Sequence, residues 1–304
     1  MTQPQTSPTQ PQPTSKPKLR WFQFSMRTLL VIMLLVGCGL GWLIRDVREQ
    51  EAVVEMIRRG DGRIAFGEPR FLGRIGVVRS LLGEHAFAPV TGVDLFDSTD
   101  AHIAKIKSWK KIQWLDISGS EVSDLSPLSG LTELTELGML STKVTNLTPL
   151  AGLNRLTVLN IEGAEVSNLT PLSGLSRLSY LYLVDTRVTD LSPLAGLRGL
   201  ILLSVADSPM SDLSPIAGLN KLTWLNIRNT PVSDLSPLAG LSGLIELDIR
   251  RTRVTDLSPL SGLMNLKKIY LFNDQEVQVP DSLSMSIERS EASEGTHDWH
   301  IRSG

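Results

Sequence analysis

From Val122 to about Asn273 the chain repeats one phrase every 22 residues, with no insertion between copies. Val122, Val144, Val166, Val188, Met210, Val232 and Val254 hold one equivalent position. Pro127, Pro149, Pro171, Pro193, Pro215, Pro237 and Pro259 hold a second, and Gly130, Gly152, Gly174, Gly196, Gly218, Gly240 and Gly262 a third. A fixed period of this length is the mark of a solenoid, in which each repeat packs only on its neighbours. Such a chain sets equivalent residues in equivalent surroundings. Catalysis needs unlike groups converging on one point, so the pattern argues for a non-enzymatic role.

One copy, Leu131 to Leu153, shows how a turn of solenoid is built. Leu137 and Met139 alternate with period two, which predicts a short strand. Val144, Leu147, Leu150 and Leu153 then fall at every third position, the spacing of a 3₁₀-like turn. Pro149 stands where that turn begins. Asn146, with Asp or Asn at each equivalent site, is placed to cap it by accepting backbone N–H bonds. Gly152 is expected to end it. Strands from successive copies stack into a parallel sheet, and the inward leucines stack into one apolar column.

The phrase L-x-x-L-x-L-x-x-[T/S]-x-V-x-x-L-x-x-[L/I]-x-x-L resembles the leucine-rich repeat. Its length and the S-P-L-[S/A]-G-L segment are similar to the subclass found in bacterial internalins and in eukaryotic phosphatase-regulatory repeat proteins. The resemblance spans residues 93–273. It implies an α/β solenoid with a curved parallel sheet on the concave face and short 3₁₀ or turn segments on the convex face. For function it implies protein–protein binding on the concave face. The usual asparagine is replaced by Ser120, Thr142, Ala164, Thr186, Ser208, Thr230 and Thr252, so the asparagine ladder is absent, although a hydroxyl there can still bond to a neighbouring backbone.

Strand alternation names the outward residues. Three columns run from Trp114, Asp116 and Ser118 in the first copy to Lys268, Tyr270 and Phe272 in the last. All three tyrosines of the chain, Tyr180, Tyr182 and Tyr270, fall on them, with Trp114 and Trp224. Tyr, Trp and Arg dominate interface hot spots. The expected partner-binding set is Trp114, Val158, Tyr180, Tyr182, Val184, Leu202, Trp224, Arg228, Glu246, Asp248, Arg250 and Tyr270. Within it an apolar–aromatic patch (Val158, Tyr180, Tyr182, Val184, Leu202, Trp224) borders a charged zone that also takes in Arg251.

The N-terminal part is of another kind. Residues 1–19 are rich in Pro, Gln, Thr and Ser and lack the apolar surface to offset ordering entropy, which predicts a disordered basic tail. Residues 20–45 hold a membrane anchor, whose uncharged core is Thr28 to Ile44. As a helix this core would be about 26 Å long, the short end of what spans a bilayer. Trp21, Phe22, Phe24 and Trp42 flank it as interfacial aromatics do. Two membrane readings stay open. An uncleaved anchor is favoured because apolar residues continue past Cys38. The alternative is a lipoprotein signal, since Leu35-Val36-Gly37-Cys38 resembles a lipobox that would lipidate Cys38. Lys16, Lys18, Arg20 and Arg27 before the span are matched by Arg45, Arg48, Arg58 and Arg59 after it. A short basic tail kept inside sets the repeats on the extracytoplasmic side.

Residues 46–92 are read as a helical linker and N-terminal cap. Helix is expected over 47–59 and again after Pro69, with a short strand at Arg63 to Phe66. Val93-Asp94-Leu95 is the first strand in register, one period before Leu115-Asp116-Ile117. The stretch between them is a degenerate repeat in which Lys105 replaces the proline. Residues 274–304 form a polar tail.

A net charge of -2 gives no sign of a nucleic-acid binder, and a single cysteine excludes an intramolecular disulfide. No cofactor or metal motif is present. His297 and His300, three apart in a polar tail, do not make one. The composite expectation is a membrane-tethered protein-binding module of a bacterial envelope. A cytoplasm-facing scaffold that regulates an enzyme is the alternative.

Overall fold

The computed structural model describes residues 48, 50–55, 57–58, 62–66, 88–280 and 286–290. All but residue 48 belong to a unit spanning residues 49–304. The expected tail (1–19), membrane span (28–44), Cys38, the helix after Pro69 and the histidines of the C-terminal tail lie outside the described residues. Among the described residues, no helix is long and apolar enough to cross a membrane.

Eleven strands form one sheet in chain order. They are β1 (Arg63–Phe66), β2 (Val90–Asp94), β3 (Trp114–Asp116), β4 (Glu136–Gly138), β5 (Val158–Asn160) and β6 (Tyr180–Tyr182). Then follow β7 (Leu202–Ser204), β8 (Trp224–Asn226), β9 (Glu246–Asp248), β10 (Lys268–Phe272) and β11 (Ser286–Ser290). β1 pairs antiparallel with β2, and every later pair is parallel. The sequence period is the strand register: Val93 pairs with Leu115, Leu115 with Leu137, Leu137 with Leu159, and so on to Ile269. The first in-register strand therefore stands where the sequence put it.

The return segment of each repeat is a 3₁₀ turn of three residues, such as Thr148–Leu150 or Ser192–Leu194, with proline at its start. The aspartate or asparagine two residues ahead fixes it. Asp124, Asn146, Asn168, Asp190, Asp212, Asp234 and Asp256 each accept the N–H of the turn's first residue at 2.7–2.9 Å. This is the capping the sequence led one to expect. The parallel sheet forms one face of the stack, the one the repeat resemblance makes concave, and the 3₁₀ turns form the other.

The glycines do not end these turns as expected. The residue after Thr148–Leu150 is Ala151, right-handed at φ -57, and Gly152 has neither a positive φ nor an atom within 4 Å of an added Cβ. The left-handed position lies instead three residues beyond the strand. It is held by Asp97, Gly119, Ser141, Gly163, Asp185, Asp207, Asn229 and Arg251, with φ between 51° and 70°. There the chain must leave the sheet while its N–H still reaches the next repeat, as Ser141 does to the Glu162 carbonyl at 2.7 Å.

The core is one apolar column from Ile57 and Val90 to Ile269 and Leu271, with nearly every member closed to solvent. Each buried leucine contributes roughly 1.5–3 kcal/mol. The hydroxyls that replace the usual asparagine turn back on their own repeat. Thr142, Thr186, Ser208, Thr230 and Thr252 donate to the carbonyl three residues earlier at 2.6–3.0 Å. A second ladder crosses repeats: the Thr135 hydroxyl donates to the Gln113 carbonyl (2.9 Å) and that of Thr157 to the Thr135 carbonyl (3.0 Å).

At the N-terminal end the described residues follow the sequence reading, with helix within 47–59 and a strand at Arg63–Phe66, whereas the C-terminal end departs from it. At the N-terminal end the described residues of the cap combine helix with strand: helical residues 50–55 and 57–58 place Ile57 in the core, and β1 covers the sheet edge. The degenerate repeat forms an α-helix, Asp100–Ile106, where no proline enforces the tight turn. Its Asp100 accepts the backbone N–H groups of Ser123 (2.8 Å) and Asp124 (2.9 Å), which ties it to the following copy. At the C-terminal end the fold does not stop at Asn273. Gln278 bridges Asp256 in parallel, and β11 pairs with β10 through Ser286 opposite Lys268. The strand Ser-Ile-Glu-Arg-Ser has one apolar residue, so it is held by backbone bonds that hydropathy does not reveal. Arg289 braces it, donating to the carbonyls of Phe272, Asn273 and Gln275.

Candidate partner-binding face

Alternation sends Leu159 or Leu181 inward and their neighbours to the concave face, but the three outward columns are not equally exposed. In the first, Trp114, Glu136, Val158, Leu202, Trp224, Glu246 and Lys268 are half-buried, and Tyr180 stands out at 38% exposure. Tyr182 and Val184 lie half-buried beside it. These residues occupy consecutive paired strands, Val158 opposite Tyr180, Tyr180 opposite Leu202 and Leu202 opposite Trp224. The predicted apolar–aromatic patch is thus a contiguous strip across β5 to β8.

The second column behaves otherwise. Asp116, Asn160, Asn226 and Asp248 each accept the N–H two residues on, at 2.9–3.1 Å. They cap the strand ends, and Asn160, Ser204, Asn226 and Asp248 are buried, as is Ala206 in the third column. The Asn226 amide also donates to the Ser204 hydroxyl at 3.2 Å.

The charged zone is engaged with itself. Asp248 and Arg250, expected as exposed contact residues, are buried and paired, with Arg250 Nη2 2.7 Å from Asp248 Oδ2. The cause is local: Asp248 is drawn in to cap the Arg250 N–H, and the guanidinium follows its carboxylate. Arg228 binds Asp207 at 2.7 Å, and Asn229 binds the same carboxylate at 2.8 Å. Tyr270 donates to Glu246 at 3.0 Å and receives Lys268 and Arg250 over its ring at 5.1 and 5.7 Å. Arg251 lies 4.7 Å over Phe272, and Lys268 pairs with Glu288 of β11 at 2.7 Å. Burial raises the Glu136 carboxyl. Burial, then Asp185 and Asp207, raises Glu162, with Arg228 offsetting in part. The Tyr182 phenol is raised by burial, then by Tyr180 and Glu162.

Sequence reasoning did not single out Phe96, which is 66% exposed at the N-terminal end of the third column. Its spacing, one period before Ser118, is the signal that finds it. No group of three or more His, Cys, Asp or Glu among the described residues is placed to hold a metal ion.

No protein-family model matches the sequence, and no curated protein matches it. Solved structures do. Internalin C2 of Listeria monocytogenes shares 32% identity at a TM-score of 0.57, over 66% of this chain and 92% of the internalin chain. The internalin InlF of the same organism shares 25% identity at 0.56, over 69% and 72% of the two chains. A leucine-rich repeat protein of Leptospira interrogans, at 18% identity and a TM-score of 0.53, shares the fold over 59% of this chain and 53% of its own. With its register, its hydroxyl-bonded turns and this similarity, the chain belongs to the leucine-rich repeat family.

Proposed function

We propose that the chain is a non-enzymatic protein-binding module, held at a bacterial membrane by residues 28–44, whose concave face takes up a protein partner on the extracytoplasmic side. One observation carries the binding role. The apolar–aromatic strip of Val158, Tyr180, Tyr182, Val184, Leu202 and Trp224 lies on the solvent side of the sheet, although the column of leucines already fills the core. Aromatic residues on a rigid surface concentrate binding energy, and a solenoid offers such a face over many strands at once. The solenoid shared with the two internalin structures supports an internalin-like subclass.

The anchor rests on the uncharged run from Thr28 to Ile44 and its flanking aromatics. Orientation rests on the short basic tail that precedes it. Tyr182→Ala with Trp224→Ala tests the binding role: the fold is retained and capture of the envelope partner falls. Unchanged capture would remove the case for the strip. Protease added to intact cells tests orientation, since repeats on the outer face are cleaved without lysis. The mass of the mature N-terminus decides between an intact anchor and lipidation at Cys38.

A further inference from the structure

The concave face is polarised in charge. Between β3 and β6 its outward columns include Asp116, Glu136 and Glu162 and no lysine or arginine, with Asp185 at the left-handed position just past β6. Between β8 and β11 the bases Arg228, Arg250 and Lys268 are all paired with carboxylates. With Arg251 over the Phe272 ring, one half is therefore acidic and the other carries no excess of acid. Glu162 is raised first by burial and then by Asp185 and Asp207, with Arg228, the partner of Asp207, offsetting in part. At the centre of the acidic half lies a second, independent feature. Asn160 is 1% exposed on the outward side of β5, and its Oδ1 is spent on the Glu162 N–H. Its Nδ2 is the one buried side-chain nitrogen or oxygen among the described residues with no hydrogen-bond partner. A buried donor without an acceptor marks a place for one.

We infer that the acidic half of the concave face, around Asn160, receives an extended lysine- or arginine-bearing segment of the partner protein. Its basic side chains meet Glu162, Glu136 and Asp185, and a main-chain carbonyl accepts from Asn160 Nδ2, which is closed to solvent in the free chain and which docking must uncover. This rests on the reading of the concave face as the binding face, and names the partner's chemistry. Opposite charge on a concave wall steers encounter and sets register, while the neighbouring tyrosines supply ring faces on which cations are held.

The test uses the full chain in detergent micelles and two short labelled peptides, one of alternating glycine and lysine, the other of alternating glycine and glutamate. Fluorescence anisotropy is expected to show binding of the lysine peptide alone, weakening as salt is raised. E162Q with D185N is expected to weaken it roughly tenfold, while D234N with D256N, on the turn side, leaves it unchanged. N160D adds a negative charge yet removes the donor, and is expected to weaken binding. Equal binding of both peptides, equal loss from the turn-side variant, or tighter binding by N160D would overturn the inference. Native partner capture separates it from the broader reading. If Y182A/W224A lowers capture and E162Q/D185N does not, the basic segment is wrong and the binding face stands. If neither lowers it, both fall.

Discussion

Arg250 lays its guanidinium along the Asp248 carboxylate, Nη2 2.7 Å from Oδ2 and Nε 3.0 Å from Oδ1, with both side chains buried on the concave face. Asp248 also accepts the Arg250 N–H, so one carboxylate ends the strand and holds the next side chain. Arg250→Ala leaves that carboxylate buried beside Tyr270 without its cation and is expected to cost about 1.5–3 kcal/mol. Urea unfolding measures this. D248N/R250M, which removes both charges, is expected to recover part of the loss, and a double-mutant cycle isolates the coupling.

The left-handed residue after each strand is a second site of stress. Ser141 holds φ 54 and Gly163, one repeat on, φ 70. Ser141→Gly is expected to stabilise by about 0.5–1 kcal/mol, because an L side chain there costs roughly 1–2 kcal/mol and the flexibility of glycine returns only part. Gly163→Ala is expected to destabilise by about 1–2 kcal/mol, with its Cβ meeting Ser141 Oγ at 3.1 Å. Thermal midpoints of the two variants should move in opposite directions.

A cut in the core tests the linear character of the stack. Leu181→Ala, in the fully buried column, is expected to cost about 2–5 kcal/mol. Hydrogen exchange should show protection lost first in β5, β6 and β7, because each repeat leans only on its neighbours. Uniform loss from β2 to β10 would contradict this.

The turn-capping aspartates predict an acid limb. Asp190, Asp212, Asp234 and Asp256 sit below the ordinary aspartate value of 3.8 because Ser192, Ser214, Ser236 and Ser258 bond to them. A folded value below the unfolded one gives stability that is present above pH 3.8 and lost as pH falls through the folded values. Glu136 and Glu162 act oppositely: raised above 4.5, they favour the fold below that pH and oppose it as pH rises through their folded values. Asparagine at all four aspartate positions keeps the Oδ1 acceptor, as Asn146 and Asn168 already do at 2.9 Å. The four-fold variant should therefore fold at neutral pH and lose most of its acid limb in a pH series of thermal melts, the part due to Asp100 remaining.

Where the sequence could be read, one chemical group did one job in every copy. The leucines announced the column, and the Asp124 to Asp256 series announced the turn caps. The left-handed position escaped notice because aspartate, glycine, serine, asparagine and arginine all occupy it, and only backbone angle unites them. β11 escaped because Ile287 is its one apolar residue. At the candidate site, alternation identified the side of the sheet correctly but could not tell a side chain facing outward from one folded down onto its own strand. Asn160 and Asp248 take the second course because a short polar side chain there reaches the N–H two residues on. The rings of Tyr180 and Trp224 are too large to fold back in this way, and their place on the face followed from register alone.

Tyr180, on the concave face, and Met264, 92% exposed beside the last 3₁₀ turn, offer the most direct test of which side binds. A photo-crosslinking residue placed at one position or the other, in the full chain in its native membrane, reports contact on each. A covalent adduct with a partner protein is expected from position 180 and none from position 264. Adducts from position 264 with none from position 180 would contradict binding on the concave face.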